Sequence, residues 1–261
     1  MVLEFISGRI SLLFVIILIG AVVLTCIDRA RKGMRVKIRR VPGLDTIDEA
    51  IGRATEMGRP VHFTPGIGSI TSDTAPQTFA GLEILGYVAG MTAKYDTDLI
   101  VSLRVPVVFP LAASTVQQSY LTQGKPQAYN ENMVRFISTE QFAFAAGVIG
   151  ILNREQAAAN LMMGYFMGEA MVLAESGAQV GAIQVAGTAL MAQIPFFVVI
   201  CDYTLIGEEL FVGGAYLSRD PVKLGSILGQ DIIKAVIAAV VVLGVLCNAL
   251  GIPFLLNLLQ M

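Results

Sequence analysis

Long apolar stretches lie at both ends of the chain, and shorter apolar runs alternate with polar segments between them. Residues 10–24 read ISLLFVIILIGAVVL, and with its flanks this apolar run extends over 2–27. No charged side chain follows Lys234, which leaves a run of about 25 apolar residues, enough to cross a ~30 Å hydrocarbon core. The pattern predicts transmembrane helices over 1–27 and 232–261, the second ending near Gly251 and Pro253.

Residues 43–231 are predicted to form one α/β domain. A T-x-x-E sequence at 46–49 indicates a capping box before a helix, and a long Ala- and Met-rich helix is predicted over 155–175. Apolar runs typical of strands occupy 61–64, 98–104, 142–152, 179–187 and 196–203. This alternation favours a mostly parallel sheet with helices on both faces. The connection over 187–196 is too short for a full crossover helix, so an antiparallel arrangement of the two strands that it joins is left as an alternative.

The stretch 182–201 has an alternative interpretation as a third membrane span, because it carries no charge. An apolar run of this length cannot be assigned by periodicity alone. Gln184, Gln193 and Pro195 favour the α/β interpretation. A third span would instead indicate a small channel or transporter subunit.

Charge is distributed unevenly along a chain that is 55% hydrophobic and 15% charged. The linker spans 28–42. Its residues 28–40 contain seven Lys/Arg and one Asp, a net charge of +7 − 1 = +6. Residues 41–261 contain ten Lys/Arg and eighteen Asp/Glu, a net charge of 10 − 18 = −8. Basic residues beside a membrane helix stay cytoplasmic. We therefore predict a two-pass protein of the inner cell membrane, with a cytoplasmic domain and both termini external. The lipid-facing basic collar consists of Arg29, Arg31, Lys32, Arg35, Lys37, Arg39 and Arg40.

Residues suited to catalysis or metal binding are scarce. The chain has three cysteines far apart in sequence and a single histidine, His62, in a predicted strand. A zinc site and a disulfide framework are therefore not expected, and no phosphate-binding G-x-x-x-x-G-K-S/T sequence occurs. The acidic body does not suggest nucleic-acid binding. The sequence predicts no metal and no cofactor, and it favours a non-enzymatic protein.

Polar residues at predicted strand ends form the candidate ligand site. In open α/β sheets ligands bind beyond the carboxyl ends of the strands, and glycines before a helix can present N–H groups to an anion. The same residues also suit ordinary turns and caps, which is the favoured interpretation. The candidate ligand-binding residues are Gly66, Gly68, Ser69, Arg104, Asn153, Arg154, Asp202 and Tyr203.

Surplus apolar helix faces favour self-association. The predicted helix over 155–175 has Gly164 and Gly168 four residues apart, a spacing that permits close helix contact. Glu83 and Glu169, both predicted in the middle of helices, are expected to form ion pairs, either with Arg104 or Arg154 or with Lys/Arg of a neighbouring subunit. We expect membrane lipids and further copies of the chain as partners, with an unidentified protein partner left open.

Three stretches of the chain, at 43–66, 153–170 and 196–218, resemble a family of uncharacterised prokaryotic integral-membrane proteins. The resemblance implies a membrane protein and supplies neither an activity nor site residues. Taken with the residue patterns, the sequence predicts a membrane-anchored, self-associating structural protein. A sensor or enzyme for a phosphate-bearing ligand is the alternative.

Overall fold

The computed structural model describes residues 10–34 and 39–249, which form two compact units. The α/β unit runs from Arg39 to Ser218. The helix-pair unit combines the described residues up to 34 with those from Arg219 onward. Arg35 and Lys37 of the predicted collar lie outside the described residues, as do the predicted helix end at 251–253 and the outer parts of both termini.

Six parallel strands form one sheet in the α/β unit, in the order β3-β2-β1-β4-β5-β6. This order is that of a doubly wound sheet. Strands are added outward on one side from β1 to β3 and on the other side from β4 to β6, so the strand order reverses between β1 and β4. The α/β class with a parallel sheet is confirmed, whereas the antiparallel pair left open after residue 187 is wrong. The strands are β1 Val61–Gly66, β2 Leu99–Leu103, β3 Val134–Phe136, β4 Ala159–Tyr165, β5 Ile183–Thr188 and β6 Tyr203–Ile206.

Helices cover both faces of this sheet, as the all-buried strands β1 and β2 require. On one face lie α2 Pro42–Met57, α3 Ala75–Tyr95, α4 Phe109–Thr122 and α8 Glu208–Ser218. On the other lie α5 Gln141–Glu155, α6 Glu169–Gln179 and α7 Ile194–Ile200. Each face has its own apolar core. The first contains Phe63 and Leu161, and the second contains Phe144, Phe166 and Phe197, all at most 1% exposed.

Helix α2 begins earlier than the predicted capping box. Pro42 occupies its first turn, where a missing N–H costs nothing. Thr46 therefore lies inside the helix, and its hydroxyl donates to the Pro42 carbonyl oxygen at 2.9 Å instead of capping it. The helix ends at Gly58, whose left-handed φ of 61° closes the last turn.

Three apolar segments adopt structures other than those predicted. The predicted strand over 142–152 lies in α5, the predicted helix over 155–175 contains β4, and the predicted strand over 196–203 contains most of α7. Strand β4 is apolar because it is buried almost throughout, whereas α5 and α7 carry apolar side chains on exposed faces as well, such as Phe142 and Val199. In each case the sequence shows neither a helical nor a strand period. The third membrane span considered at 182–201 is wrong as well, because this stretch contains β5 and the short helix α7.

The helix-pair unit contains α1 Ile10–Arg31 and α9 Pro221–Ala249, which contact each other along their lengths. Gly225 of α9 lies against Ile27, and Gly229 lies against Val23, so the two helices are antiparallel. Among the described residues, one helix, α9, is long and apolar enough over 221–247 to cross a membrane. This finding supports the membrane prediction in its coarser form.

Candidate functional site

The carboxyl ends of β1 and β4 mark the point where ligands bind in doubly wound sheets. Here these two ends stay joined beyond the regular ladder. The pairing shifts register between Thr64 and Gly66, and the Ile67 N–H then donates to the Tyr165 carbonyl oxygen at 2.8 Å. The two strands do not separate to form an open crevice.

Glycines allow the main chain to fill this space. Gly66 has a φ of 80°, and a methyl group there would overlap the Tyr165 carbonyl oxygen. Methyl groups at Gly164 and Gly81 would overlap the carbonyl oxygens of Pro65 and Met163. Close backbone contact of this kind requires glycine. These glycines therefore have a packing role between strands. The helix contact predicted for Gly164 and Gly168 is wrong, because Gly164 lies in β4 and no atom lies within 4 Å of a methyl group at Gly168.

Several N–H groups of the glycine loop, residues 66–74, have acceptors within the chain. The Gly66 N–H donates to Thr64 Oγ1 at 3.1 Å, and the Ser69 N–H donates to Thr74 Oγ1 at 3.0 Å. The Thr71 N–H donates to Ser69 Oγ at 3.2 Å. An anion would have to displace these bonds to reach the loop's amides.

Arg104 reaches the same loop from the end of β2. Its Nε donates to the Thr139 carbonyl oxygen at 2.9 Å, and its Nη1 donates to the Ile67 carbonyl oxygen at 3.5 Å. The structure therefore places four of the predicted residues, Gly66, Gly68, Ser69 and Arg104, at one edge of the sheet.

The other four predicted residues lie at the opposite, amino edge. Asn153 and Arg154 fall in the last turn of α5, directly before β4, and Asn153 Nδ2 donates to Ser176 Oγ at 3.1 Å. Asp202 precedes β6 and accepts from the Gln184 N–H at 2.8 Å, while Tyr203 begins that strand. The structure does not bring these residues to Arg104.

A buried carboxylate at the carboxyl edge was not among the predicted site residues. Glu169 is fully buried, and it is the first residue of α6, whereas the prediction placed it in the middle of a helix. Its Oε1 accepts from the Met167 N–H at 2.9 Å, and its Oε2 accepts from Gln141 Nε2. The expected ion pair with Arg104 or Arg154 is thus replaced by neutral donors, which also satisfy a buried carboxylate.

A row of polar side chains crosses the middle of the sheet on the α5–α6 face. His62 of β1 bonds through Nε2 to Ser102 Oγ of β2 at 2.9 Å and through Nδ1 to Asn160 Oδ1 of β4 at 2.8 Å. Asn160 Nδ2 then donates to Gln184 Oε1 of β5 at 3.1 Å. We call Ser102, His62, Asn160 and Gln184 the polar row, and all four are at most 1% exposed.

Burial keeps the histidine of this row neutral. Desolvation lowers the pKa of His62 from 6.5 to about 4, the Asn160 hydrogen bond opposes this change, and the charge of Arg135 adds to it. A neutral imidazole has one donor and one acceptor nitrogen, so it can link two different neighbours. The confirmed strand residue thus has a defined partner on each side.

A cleft of about 210 Å³ opens at the amino edge, between the first residues of β1, β2 and β3. Arg135 crosses it, with Nη1 3.4 Å from Glu155 Oε1. Its other polar lining residues are Asp98, Asn130 and Asn132. The sequence offered no signal for this cleft, because its residues come from four separate segments.

Two further features bear on chemistry in the described part of the chain: possible metal ligands and the Cys201 thiol. Within it, no cluster of three or more His, Cys, Asp or Glu side chains is placed to hold a metal ion. Burial, with a contribution from Asp202, raises the pKa of the Cys201 thiol to about 12. This thiol stays protonated at neutral pH and is a poor nucleophile.

Comparison with known proteins yields one family match. The profile of the family described as Domain of unknown function (DUF6754) matches residues 3–259, nearly the whole chain. No curated protein and no solved structure matches the chain. The matched range includes both the α/β unit and the helices α1 and α9.

Proposed function

The chain belongs to the DUF6754 family, whose description assigns no activity, and we propose that it is a membrane-anchored, self-associating scaffold protein. In this proposal α1 and α9 both cross the inner membrane, and the α/β unit lies in the cytoplasm. The two termini are then external. The proposal rests first on the outer surface of the helix pair.

That surface consists largely of exposed aliphatic side chains. On α1, Ile17 is 61% and Leu24 is 67% exposed, and on α9, Val241 is 59% and Val245 is 65% exposed. A contiguous apolar surface of this extent is unfavourable in water and is typical of a membrane or protein interface. Hydrocarbon chains around both helices would remove this cost.

The basic collar supports the proposed orientation. Arg29, Arg31 and Lys32 follow the apolar part of α1 directly, and Arg39 and Arg40 begin the α/β unit. Clustered positive charge beside a membrane helix favours the cytoplasmic side and the headgroups of anionic lipids. Arg40 also pairs with Asp45 of α2, with Nη2 3.0 Å from Oδ2.

Self-association is supported by the exposed apolar side chains on the α5–α7 face. Val199 is 84%, Met191 is 79% and Phe142 is 73% exposed. No Lys, Arg or His occurs over 156–218, so α6 and α7 contribute no positive charge that would attract an anionic membrane surface, and Arg154 in the last turn of α5 is the one such residue of the three helices. A protein surface is the better partner, and we propose a second copy of the chain.

The carboxyl ends of β1 and β4, which we call the switch point of the sheet, are closed by main chain. This closure favours a scaffold over an enzyme. Doubly wound enzymes bind substrate where the strand order reverses, which in this sheet is between the neighbouring strands β1 and β4. In this chain Gly66 and Gly164 bring the backbones together at that point. The N–H groups of Gly66 and Ser69 in the glycine loop are hydrogen-bonded within the chain as well. The strongest support nevertheless remains the apolar exterior of the helix pair.

The proposal is tested with the full-length chain expressed with two different tags in the same cells. We expect the protein to stay in membranes after alkaline carbonate washing and the two tags to co-purify in mild detergent. The variant Val199→Glu should lower co-purification by about tenfold, since it buries a charge at the contact. The matched control Val107→Glu, at a residue 46% exposed on the opposite face, should have no effect.

Release of the unmodified chain by carbonate would contradict the membrane anchor. Recovery of only one tag from an intact membrane fraction would contradict self-association alone. The two parts of the proposal therefore fail independently.

Binding of a phosphate-bearing small molecule is the second candidate function. The observation that favours it is the position of Arg104 against the glycine loop, 3.5 Å from the Ile67 carbonyl oxygen. A ligand that binds only the folded chain raises its thermal midpoint. Inorganic phosphate and a panel of nucleotides should raise the midpoint of the unmodified chain and not that of Arg104→Gln. An unchanged midpoint in both would contradict this candidate.

A further inference from the structure

The contact between α1 and α9 fixes their relative register. A methyl group at Gly225 would lie 2.8 Å from Ile27 Cα, and one at Gly229 would lie 2.9 Å from Val23 Cα. Such close approach of two backbones depends on small residues at four-residue spacing. Gly229 and Val23 therefore lie at the same level along the helix pair, and the Gly229 side of α9 faces α1.

This register sets the depth of two adjacent polar residues of α9, Gln230 and Asp231. With a rise of 1.5 Å per residue, Asp231 lies about 10 Å beyond the level of Asp28, towards the start of α1. The uncharged part of α1 before Asp28 is about 27 Å long, close to the ~30 Å thickness of a hydrocarbon core. A bilayer that covers this part of α1 also surrounds Gln230 and Asp231.

Both polar residues project away from α1. Successive helix residues are about 100° apart, so Gln230 and Asp231 lie about 100° and 200° from Gly229 around the axis of α9. Both are exposed in the helix pair. The direction midway between them, about 150° from Gly229, points almost directly away from α1. We call the part of α9 that Gln230 and Asp231 flank its polar side.

We propose that the polar side of α9 joins two copies of the chain within the bilayer, with the two α9 helices parallel about a twofold axis along the membrane normal. The inference rests on the proposed membrane anchoring and identifies one contact of the proposed assembly. Parallel helices keep both copies in the single orientation of that proposal. Because Gln230 and Asp231 lie about 50° to either side of the contact, the axis brings Gln230 of each copy to Asp231 of the other.

The chemistry of the two side chains favours this pairing. A polar or charged group at membrane depth is costly, and such groups are found facing other protein. Amide side chains form hydrogen bonds across membrane helices. The Gln230 amide can donate to the Asp231 carboxylate of the other copy, and the twofold axis forms this bond twice. Lys234, one turn further along α9, already interacts within its own chain, so the contact is built on Gln230 and Asp231.

Cysteine cross-linking in native membranes tests the contact. In a full-length chain whose own cysteines are replaced by alanine, Ala238→Cys lies about 30° from the contact direction. Parallel helices bring this position opposite itself, so oxidation should give a covalent dimer. The matched control is Ala239→Cys, the next alanine along, which is equally exposed but lies about 130° from the contact direction and should remain monomeric.

Exchange of the two polar groups then distinguishes a bond between copies from a role within one helix. In the Ala238→Cys background, Gln230→Asp alone should lower the dimer yield by about tenfold, because carboxylates then face each other across the contact. Asp231→Gln alone should lower it by about threefold. The double variant Gln230→Asp/Asp231→Gln carries the same two groups in exchanged positions and should recover the yield.

Co-expression of the two single variants, on chains of different length, adds a test between copies. The mixed dimer should exceed both dimers of like chains, since each chain then carries the group that the other lacks. Equal yields for all of these chains, or a double variant no better than Gln230→Asp alone, would overturn the proposal.

Carbonate washing of the same membranes keeps this inference separate from the function on which it rests. A chain that stays in the membrane and co-purifies with its second tag, but gives no cross-link at Ala238→Cys, refutes only the α9 contact. A chain that is washed out refutes the membrane anchor itself. Water-soluble maleimide at Leu24→Cys provides a check of depth, since labelling would place this level in water and overturn the register argument.

Discussion

The α/β unit buries its largest apolar side chains, whereas the helix pair exposes many of its own. In the α/β unit, Phe63 and Phe144 are fully buried, whereas in the helix pair Ile17 and Val245 are 61% and 65% exposed. A water-facing unit must hide its apolar surface, and a lipid-facing unit has no such need. The difference is the one expected under the proposed arrangement, in which the α/β unit faces water and the helix pair faces lipid.

Polar groups follow the same contrast. In the α/β unit the polar row from Ser102 to Gln184 is buried, and each member bonds to a neighbour in the row. In the helix pair, Asp231 and Lys234 lie on the outer surface. Buried polar groups are stable when their hydrogen bonds are complete, so the polar row needs no group from outside the chain.

A substitution that disturbs the closed switch point between β1 and β4 should have the largest effect on the stability of the α/β unit. Gly66→Ala should lower the free energy of unfolding by about 4 kcal/mol, from a positive φ and from overlap with the Tyr165 carbonyl oxygen. Chemical unfolding of the full chain in mild detergent, followed by tyrosine fluorescence, measures this change. Gly58→Ala is the control, because its φ is 61° but no atom lies within 4 Å, and it should cost about 1 kcal/mol. Equal costs would mean that the switch point is not tightly closed.

Removal of one member of the polar row is the next largest effect. Asn160→Ala leaves His62 Nδ1 and Gln184 Oε1 without their partner, and it should cost about 3 kcal/mol in the same unfolding experiment. The exposed Asn132→Ala should change stability by less than about 0.5 kcal/mol. A small effect at Asn160 would show that water or a rearranged neighbour satisfies the row.

The helix pair is tested at its glycine contact. Gly229→Leu should separate α1 from α9, at a cost of about 2 kcal/mol, because its Cβ would lie 2.9 Å from Val23 Cα. Distances between spin labels at Leu24→Cys and Gln230→Cys, in a chain without its own cysteines, should lengthen and broaden. Gly20→Leu has no atom within 4 Å of the new Cβ and should leave the distances unchanged. Unchanged distances in Gly229→Leu would contradict the register of the pair.

Acid sensitivity is the smallest expected effect, and it belongs to the α/β unit. The folded-state pKa of His62 is about 4 and its unfolded value is 6.5, so protons bind preferentially to the unfolded chain below pH 6.5. The stability present above this pH should fall by about 2 kcal/mol between pH 7 and pH 5, and the loss should end near pH 4.

The variant His62→Gln supplies the control for this titration. His62 is the sole histidine of the sequence, so the slope between pH 7 and pH 5 should disappear in the variant. A slope that persists would assign the acid sensitivity to other groups.

The sequence predicts those elements whose boundaries are marked by turn residues. Strands β1 and β2 lie close to the predicted runs, because Gly, Pro and Asp delimit them. By contrast, α5 and β4 were each assigned the other's structure. Strand β4 is buried on both faces, and α5 is apolar on its exposed face as well as on its buried one. The sequence therefore contains no hydrophobic period by which to distinguish a strand from a helix.

The same exchange explains which site residues were misplaced. Arg104 follows a correctly predicted strand and does reach the glycine loop. Asn153 was assigned to the end of a strand that is in fact α5, which moved it to the wrong edge of the sheet. The polar row was not predictable either, since His62 and Asn160 are 98 residues apart and meet only when β1 and β4 are neighbours.

Native mass spectrometry of the full-length protein, released gently from membranes, tests the central claim most directly. The account predicts a defined multimer whose mass is a whole multiple of the 27.8 kDa chain, with no small molecule bound in the α/β unit. A monomer that carries a small bound mass would contradict a self-associating scaffold and would favour a ligand-binding protein.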